Sequence, residues 1–448
     1  MSASSARLRM EAVAIFRAAI SAVDPANLVI DHLSRHAAEA LHDTAGRTPG
    51  ENCGPTLVIG AGKAAARMAA GCEQVLGAEN VCGEVIVADG CTVGLRSVAV
   101  SEAGHPLPDG RGERAAQRIM QLLRAQDRGD TVCLISGGAS SLLVCPRPPV
   151  TLQDKIATTQ LLLECGADIR AFNTVRKHLS EVKGGGLLRH VRTRMLALLI
   201  SDVIGDDPST IGSGPTVPDD TTFADAWDVL ARHQLETRVP ATVTTLLKSG
   251  IEGNVAETVK FSSAEAVCCR SQIIGSNRTA LEAAATSARA RGWTVDVDGQ
   301  PLSGDTTAAA RGFAARIRQL AARRGGKPLC VLAGGETTVR VKGKGRGGRN
   351  QEFALALAGT LAGMPITLLS AGTDGVDGPT DAAGAFVDGT TLLRAQQRGL
   401  DIDATLGAND SFTFFSELDD LFRCGPTGTN VMDIKIALLP AAARDTGF

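Results

Sequence analysis

The sequence predicts an α/β fold, because short apolar strands alternate with amphipathic helices along most of the chain. Three runs show this most clearly, Leu57–Ile59, Val132–Ile135 and Met195–Ile200. Each run is fully apolar and ends in a turn that contains glycine, serine or aspartate. Strands that are apolar on both faces are typical of parallel sheets with helices on both sides. We therefore expect a mostly parallel sheet in the N-terminal half.

The elements of the N-terminal half follow from periodicity and capping residues. Two amphipathic helices come first, over 5–23 and 26–42, and Pro25 suits the first turn of the second. Thr151 and Asp154 form a capping box that starts a later helix. The other expected elements are a strand at 57–59, a helix within 60–71, strands at 85–87 and 98–100, a helix over 110–125, a strand at 132–135, two helices separated by the glycines at 184–186, a strand at 195–200, and helices at 222–235 and 240–249.

A domain boundary is expected within 250–263, because this segment is polar and lacks periodicity. The expected domains are 1–250, a Rossmann-like α/β domain, and 251–448, a second α/β domain. Two domains of this kind favour an active site in the cleft between them. In the second domain we expect a strand–loop–helix after 272, strands at 294–297, 329–332, 337–341 and 366–369, and helices at 305–323 and from about 350.

Composition excludes several functional classes. The 448 residues carry a formal net charge of −2, and only 3% are aromatic, so neither charge nor stacking surface favours a nucleic-acid partner. No apolar run reaches the length of a membrane-spanning helix, so no membrane partner is expected. The 11 cysteines are scattered and odd in number, which favours reduced thiols and a cytoplasmic protein.

A glycine-rich turn follows the first strand, where Gly60, Gly62, Lys63 and Ala65 fit the pattern G-x-G-x-x-A. Asp89 follows the next strand, near where a ribose-binding acid is found in dinucleotide-binding folds. A nicotinamide-dependent dehydrogenase is therefore one interpretation. A lysine at a helix start instead favours direct neutralisation of a phosphate. An ordinary strand–helix turn with an exposed lysine is the third interpretation.

A second loop, SGGASSLL, follows the strand at 132–135. Backbone N–H groups and hydroxyls of Ser136, Gly137, Gly138 and Ser140 suit a phosphate or a carboxylate. The serines also raise the possibility of a hydrolase nucleophile, but the G-x-S-x-G elbow is absent. The chain has seven histidines, with only His105 in a glycine-containing loop, so a serine triad is not expected.

Two acidic loops follow strands, one with Asp202, Asp206 and Asp207 and the other with Asp374, Asp377 and Asp381. Carboxylates beside glycine turns suit an oxygen-liganded ion such as Mg²⁺. Each loop could also be a simple turn cluster, because aspartate favours turns. Arg176 and Lys177 lie on a helix and offer further cationic groups, or else merely coat a helix surface.

A cationic loop, VKGKGRGGRN, contains Gly343, Gly345, Gly347 and Gly348 and ends at Arg349. Glycine lets backbone N–H groups approach an anion, and the start of the next helix adds partial positive charge. We expect these glycines to adopt positive φ angles and the helix to face the same anion. Glu336 follows the preceding strand. The competing interpretation is a flexible, solvated loop.

Taken together, seven motifs resemble the glycerate 2-kinase family, that is, the MOFRL-type glycerate kinases. They occur in order: SGGASSLL, NTVRKHLSEVKGGGL, SDVIGDDPSTIGSGPT, GGETTVRVKGKGRGGRNQE, SAGTDGVDGPTDAAGA, NDSFTFF and GPTGTNVMD. The resemblance covers nearly the whole chain and implies two α/β domains with a cleft between them. It also implies ATP-dependent phosphorylation of D-glycerate, usually to 2-phosphoglycerate, with a divalent metal. Met432 departs from the family pattern, where asparagine is common.

The resemblance adds roles for particular residues. Lys63 and Arg349 match active-site residues of the family, and we expect them to stabilise the transferring phosphoryl group. We expect Asp202 to act in catalysis, and Asp202 and Asp374 to hold Mg²⁺ or orient the hydroxyl. The expected binding residues for glycerate and ATP are Gly60, Gly62, Ser136, Gly137, Gly138, Ser140, Arg176, Glu336, Gly347 and Gly348. A monomer or homodimer is expected.

Two rival functions remain. Members of this family have also been labelled hydroxypyruvate reductase, so an NAD(P)-dependent reductase with its cofactor on Gly60–Ala65 is the alternative. A non-catalytic module that binds acidic metabolites is the other, and the number of charged loops argues against it.

Overall fold

The computed structural model describes residues 3–40 and 54–442. These residues form two compact units. The first unit runs from Pro25 to Ile274, and the second contains the chain up to Asp24 together with the chain from Gly275 onward. Residues 41 and 42, the end of the predicted second helix, lie outside the described residues. The α/β prediction is confirmed, since each unit contains a six-stranded sheet with helices packed against it.

The first unit contains one sheet with strand order β3-β2-β1-β4-β5-β6. The pairs β1–β2, β2–β3, β1–β4 and β4–β5 are parallel, as the apolar runs predict. Its strands are β1 Thr56–Ala61, β2 Val81–Ala88, β3 Val98–Ala103, β4 Thr131–Ile135, β5 Met195–Ile200 and β6 Cys269–Gly275. Its helices are α2 Pro25–Ala40, α3 Ala65–Leu76, α4 Gly110–Ala125, α5 Ala139–Leu142, α6 Leu152–Glu164, α7 Ile169–His178, α8 Phe223–Arg232 and α9 Ala241–Ile251.

The second unit contains a mixed sheet with strand order β11-β10-β9-β12-β8-β7. Only β7 and β8 pair in parallel, and β12 is antiparallel to both β8 and β9. Its strands are β7 Thr294–Val297, β8 Leu329–Gly335, β9 Thr367–Gly372, β10 Gly384–Asp388, β11 Leu421–Phe422 and β12 Asp433–Leu439. Its helices are α1 Ala3–Ala22, α10 Asn277–Ala290, α11 Thr306–Arg323, α12 Arg349–Ala358, α13 Thr391–Gln397, α14 Ile402–Ala408 and α15 Ser411–Leu418.

The units divide the chain differently from the expected domains 1–250 and 251–448. Helix α1 packs within the second unit, where the Phe16 and Phe422 rings meet edge to face with centroids 5.2 Å apart. Arg9 also pairs with the buried carboxylate of Asp420 at 2.6 Å. At the other end, residues 269–274 add strand β6 to the first sheet. Amphipathic periodicity shows that a face is buried but not which sheet buries it.

The predicted strand at Thr337–Val341 is wrong. The segment makes only an isolated bridge, between Thr338 and Asp305, and continues as extended chain without a ladder. Thr337 is buried, whereas Val341 is 75% exposed. The β-branched residues therefore follow the surface here, because strand propensity reflects packing on a sheet and no neighbouring strand is available.

Among the described residues, no single helix combines the length and apolarity needed to span a membrane. A bent pair, Ser5–Ala22 with Pro25–Arg35, meets the criterion only by length and composition.

Candidate active site

The turns after β1 and β4 are joined by hydrogen bonds. The Lys63 amide donates to the Gly137 carbonyl at 2.8 Å, and the Ser136 amide donates to the Ala61 carbonyl at 3.1 Å. The Ser136 hydroxyl accepts from the Ala64 amide at 3.1 Å. Ser136 is thus buried and fixes the start of α3, which accounts for its side chain without a nucleophilic role.

Glycine is required where these two turns meet. Gly62 has φ +136°, and a Cβ there would overlap the Ser136 hydroxyl. A Cβ at Gly60 would overlap the Leu134 carbonyl. The close approach of the two neighbouring turns therefore explains the glycine pattern after β1. A dinucleotide-binding role is not needed to account for it.

The strand order reverses between β1 and β4, so these two strands flank the topological switch point of the sheet. Ligands of open α/β sheets bind outside the carboxyl ends of the strands at such a point. Lys63 follows β1, while Ser136, Gly137 and Gly138 follow β4. The predicted phosphate-binding and anion-binding loops thus lie side by side.

The loop after β4 offers backbone donors. Within the described part of the chain, the amides of Gly137, Gly138 and Ser140 have no hydrogen-bond partner. Buried amides are nearly always satisfied in folded proteins, and Gly137 is buried. These N–H groups are therefore suited to an anionic ligand.

Buried cationic side chains support the loop after β4 through hydrogen bonds to backbone carbonyls. Lys183 Nζ donates to the Ser140 carbonyl at 2.7 Å, and Arg176 Nη2 donates to the same oxygen at 3.2 Å. Lys155 Nζ donates to the Arg176 carbonyl at 3.3 Å. Burial lowers the pKa of Arg176 to about 10 and that of Lys155 to about 7, and also lowers the pKa of Lys183. The sequence alone does not indicate that Lys155 and Lys183 are buried, because lysines at helix and loop positions usually face solvent.

Lys177 is not a surface residue. Its ammonium pairs with the buried Asp219 carboxylate at 3.1 Å, so both charges are satisfied within the fold. The neighbouring residue Arg176 points to Ser140 instead. The two adjacent cations thus divide between a structural ion pair and the candidate site.

Asp202 follows β5 and interacts with Lys63. Burial raises the pKa of Asp202, and the Lys63 charge opposes that rise. The other acids of this loop behave as turn residues: Asp207 accepts from the Ser209 amide at 2.9 Å and from the Thr210 hydroxyl at 3.0 Å. Of the three predicted carboxylates, Asp202 is the one that acts on a candidate catalytic group.

In the second unit, Arg349 lies at the start of α12 between two carboxylates. Its Nε and Nη2 donate to Asp433 at 2.8 and 3.0 Å, and its Nη1 lies 2.9 Å from Glu336. Asp433 is buried. Burial would raise its pKa, but Lys435 and Arg349 bring that pKa below the ordinary value. Asp433 and Lys435 belong to the final strand; Asp433 ends the motif GPTGTNVMD, but the sequence predicts no contact between either residue and Arg349.

The start of α12 is occupied by a carboxylate of the same chain. Asp377 accepts from the Asn350 amide at 3.0 Å and from the Gln351 amide at 2.9 Å. The expectation that these donors face an external anion does not hold in this structure. A negative side chain at a helix start is favourable for the same reason that an external anion would be.

The cationic glycine loop is ordered by the NDSF motif. Asn409 Oδ1 accepts from the Lys342 and Gly343 amides at 2.7 and 2.9 Å, and Asp410 accepts from the Arg346 amide at 2.9 Å. The expected positive φ angles are wrong, since none of the four glycines has one. A Cβ would instead meet a neighbour, such as Ala408 at Gly343, Ser411 at Gly347 and Asp377 at Gly348.

Asp374 follows β9, and its carboxylate accepts from the Val376 amide at 3.1 Å. Asp381 pairs with Arg423 at 3.0 Å on an exposed surface. Within residues 3–40 and 54–442, no group of three or more histidine, cysteine or acidic side chains could hold a metal ion. Mg²⁺ is commonly held by one or two carboxylates with phosphate oxygens, so a smaller set suffices.

The predicted residues fall into two sets, one in each unit. The first unit contains Gly60, Gly62, Lys63, Ser136, Gly137, Gly138, Ser140, Arg176 and Asp202. The second unit contains Glu336, Gly347, Gly348, Arg349 and Asp374. That the two sets share one cleft stays a prediction.

The alternative nicotinamide site meets an obstacle at Asp89. Both of its carboxylate oxygens accept from the Arg111 guanidinium, at 2.7 and 2.9 Å. The acid expected to bind a ribose is therefore already paired.

Comparison with known proteins is decisive at this point. The MOFRL family matches residues 329–433, and a domain of unknown function, DUF4147, matches residues 11–248. Glycerate 2-kinase of Pyrococcus horikoshii is 38% identical over 392 residues, which are 86% of this chain and 88% of that protein. The chain belongs to the MOFRL-type glycerate kinase family. The resemblance of the seven motifs is thereby confirmed.

Other members of the glycerate kinase family extend the match. A putative hydroxypyruvate reductase of Agrobacterium vitis is 40% identical over 438 residues, which are 95% of this chain and 93% of that protein. The crystal structure of glycerate kinase from Thermotoga maritima has a TM-score of 0.85 and 35% identity, covering 97% of this chain and 99% of that chain. Family membership thus extends over both sheets.

Proposed function

We propose that this chain is an ATP-dependent D-glycerate kinase that phosphorylates the 2-hydroxyl and forms 2-phosphoglycerate. The names of the Pyrococcus and Thermotoga relatives support the reaction. The observation that carries the proposal is local: Lys63 lies beside the open amides of Gly137, Gly138 and Ser140 at the switch point of the first sheet. Phosphoryl transfer needs positioned cations and N–H donors more than covalent chemistry.

Lys63 and Arg349 would stabilise the charge that spreads over the γ-phosphoryl oxygens in the transition state. Gly137, Gly138 and Ser140 would bind an anionic group of glycerate or of the nucleotide, with Arg176 holding that loop through the Ser140 carbonyl. Gly347 and Gly348 would support the nucleotide side through the loop that ends at Arg349.

Mg²⁺ would neutralise phosphate charge when bound with ATP. Asp202 fits this ion, because burial raises its pKa and the positive charge of Lys63 opposes that rise. A bound metal cation would offset the unfavourable burial of the ionised Asp202 carboxylate. Asp374, which follows β9, would be the second oxygen ligand, and Glu336 would serve the metal or the nucleotide. Asp202 would otherwise orient the glycerate hydroxyl.

The second candidate function is an NAD(P)-dependent hydroxypyruvate reductase. Only the name of the Agrobacterium relatives favours it. The pairing of Asp89 with Arg111 and the close-approach role of Gly60 and Gly62 favour the kinase.

A paired assay separates the two functions. Purified chain with D-glycerate, ATP and Mg²⁺ is followed for ADP, beside the same chain with hydroxypyruvate and NADH. The kinase predicts ADP that depends on glycerate and no oxidation of NADH. Oxidation of NADH without ADP would replace the kinase by the reductase. Gel filtration tests the expected monomer or homodimer, and fractionation of cells tests the expected cytoplasmic location.

A further inference from the structure

His105 lies at the candidate site but outside the seven family motifs. It follows β3 by two residues, and Gly104 before it is held by the Asp109 carboxylate at 3.0 Å. Asp109 also accepts from two amides at the start of α4, so the loop that carries His105 is fixed at both ends.

The position of His105 relative to the other site residues follows from Gly138. A Cβ at Gly138 would lie 3.0 Å from His105 Cδ2 and 3.1 Å from His105 Nε2. The same point would lie 3.5 Å from Lys63 Cγ. The imidazole and the Lys63 stem therefore both lie against Gly138 in the loop with open amides, at the carboxyl ends of β1, β3 and β4.

The His105 ring is open to a ligand. Neither ring nitrogen has a hydrogen-bond partner among the residues that the structure describes, and the side chain is half-buried. Burial lowers the pKa of His105, and the Lys63 charge lowers it further, so both effects favour the neutral imidazole. Lys63 is the charged group that faces it from the turn after β1, Asp109 lies on its own loop, and the loop after β4 has no charged residue at 136–141.

We propose that His105 is a catalytic residue that accepts the proton of the glycerate hydroxyl during phosphoryl transfer. This inference rests on the proposed kinase function. The hydroxyl O–H bond breaks and its proton moves to a ring nitrogen of His105, while the same oxygen forms a bond to the γ-phosphorus. The bond from that phosphorus to the β–γ bridging oxygen breaks, and its electron pair leaves with ADP. The imidazolium then returns the proton to water.

A neutral imidazole beside Lys63 is suited to this step. The base must be unprotonated at the working pH, and general-base catalysis contributes on the order of 10²- to 10⁴-fold. Asp202 is the competing acceptor, because it also interacts with Lys63. The experiment therefore treats the two residues in parallel.

The test is the dependence of kcat on pH from 5 to 9 for the wild type, His105→Asn, His105→Gln and Asp202→Asn, with His233→Asn, at the end of α8, as a matched control. We expect the wild-type kcat to fall toward the acidic end of this range, because the His105 imidazole then takes up a proton. His105→Asn and His105→Gln should lower the maximal kcat about a hundredfold or more and leave KM for ATP within about threefold of the wild-type value. They should also remove the fall of kcat at low pH, the acidic limb of the profile. His233→Asn should behave as the wild type.

Three results would overturn the proposal: a limb that persists in both His105 variants, a limb removed only by Asp202→Asn, or a change in KM for glycerate with kcat intact. A wild type that forms no ADP with glycerate at any pH would instead overturn the proposed function. If both His105 variants fail to fold, acylation of the wild type by diethylpyrocarbonate decides. Mass spectrometry should show His105 protected by glycerate with ATP, and equal modification with and without substrates would contradict the role.

Discussion

Arg349 donates two parallel hydrogen bonds to Asp433, from Nε to Oδ2 at 2.8 Å and from Nη2 to Oδ1 at 3.0 Å. This bidentate pair uses one edge of the guanidinium and leaves Nη1 toward Glu336, whose side chain is 42% exposed. The buried carboxylate of Asp433 therefore sets the direction of the fork, and we expect a bound phosphate to replace the more exposed carboxylate of Glu336. A planar fork held in this way differs from a lysine charge.

The first prediction concerns Arg349→Lys. Lysine keeps the charge but cannot make the bidentate contact with Asp433, so it cannot hold a second donor toward the phosphoryl group. We expect kcat to fall by on the order of a hundredfold, with ATP binding largely retained. Steady-state kinetics with glycerate and ATP varied in turn measures both quantities.

The control for Arg349 is Arg346→Lys in the same loop. Arg346 is exposed and its guanidinium lies over the Phe412 ring at 4.6 Å. The kcat of Arg346→Lys should stay within about threefold of the wild-type value. If Arg349→Lys raised only KM for glycerate and left kcat intact, Arg349 would be a carboxylate clamp and not a transition-state residue.

The second prediction concerns Lys63→Ala. Removal of a charge aimed at the phosphoryl group should lower kcat by on the order of a hundredfold or more. Lys327→Ala, at an exposed position in the second unit, is the matched control and should leave kcat unchanged. Full activity with unchanged KM in Lys63→Ala would remove Lys63 from the site.

The third prediction separates backbone conformation from close approach. Gly62 and Gly90 both have positive φ, but a Cβ would overlap Ser136 only at Gly62, while nothing lies within 4 Å at Gly90. Gly90→Ala should destabilise the fold by about 1 kcal/mol, the cost of a left-handed alanine. Gly62→Ala should cost on the order of 3 kcal/mol, since overpacking adds to the strain. Thermal midpoints of the two variants measure the difference, and equal midpoints would contradict the close approach of the two turns.

The fourth prediction tests the order of the cationic loop. Asn409→Ala removes the acceptor of the Lys342 and Gly343 amides and the donor to Glu352 at 3.0 Å. Trypsin should then cleave after Lys342 and Lys344 at least several times faster than in the wild type, because local opening exposes the loop. Asn254→Ala, at an exposed position after α9, is the control. Unchanged cleavage would mean that the contacts of Asn409 do not hold the loop.

The fifth prediction follows from the buried lysine Lys155, whose pKa burial lowers to about 7. The ordinary lysine pKa is about 10.4, so the unfolded chain binds more protons than the folded chain between these values. The buried Lys155 charge destabilises the folded chain fully below about pH 7, and this effect disappears as pH rises toward 10. The free energy of unfolding changes by at most about 1.4 kcal/mol per pH unit in this range. Lys155→Met should therefore gain most stability over the wild type at pH 7 and least at pH 10. A stability difference between Lys155→Met and the wild type that does not change between pH 7 and pH 10 would contradict the lowered pKa of Lys155.

The sequence was sufficient to predict the α/β class, the parallel strands of the first sheet and the position of Lys63, because fully apolar strands and glycine turns are local signals. It was insufficient for contacts between distant segments. Three contacts join residues that are tens of positions apart: Asp377 caps α12, Asn409 holds the loop at Lys342, and Asp433 orients Arg349. Periodicity carries no information about such pairs.

Buried cations were the other limit. Lysine is almost never fully buried unless paired, so sequence reasoning assigns it to the surface. Lys155 and Lys183 are nevertheless buried, and their ammonium groups bond to carbonyl oxygens of the loop and helix that they hold. His105 gave a weak signal as the one histidine in a glycine-containing loop, but its position beside Lys63 is visible only in three dimensions.

The most direct test of the central claim is phosphorus NMR of the purified chain with D-glycerate, ATP and Mg²⁺. A glycerate 2-kinase should give equimolar ADP and a new phosphomonoester signal that coincides with authentic 2-phosphoglycerate, and neither product should form with Lys63→Ala. Unchanged ATP signals, together with oxidation of NADH by hydroxypyruvate in the parallel sample, would contradict it.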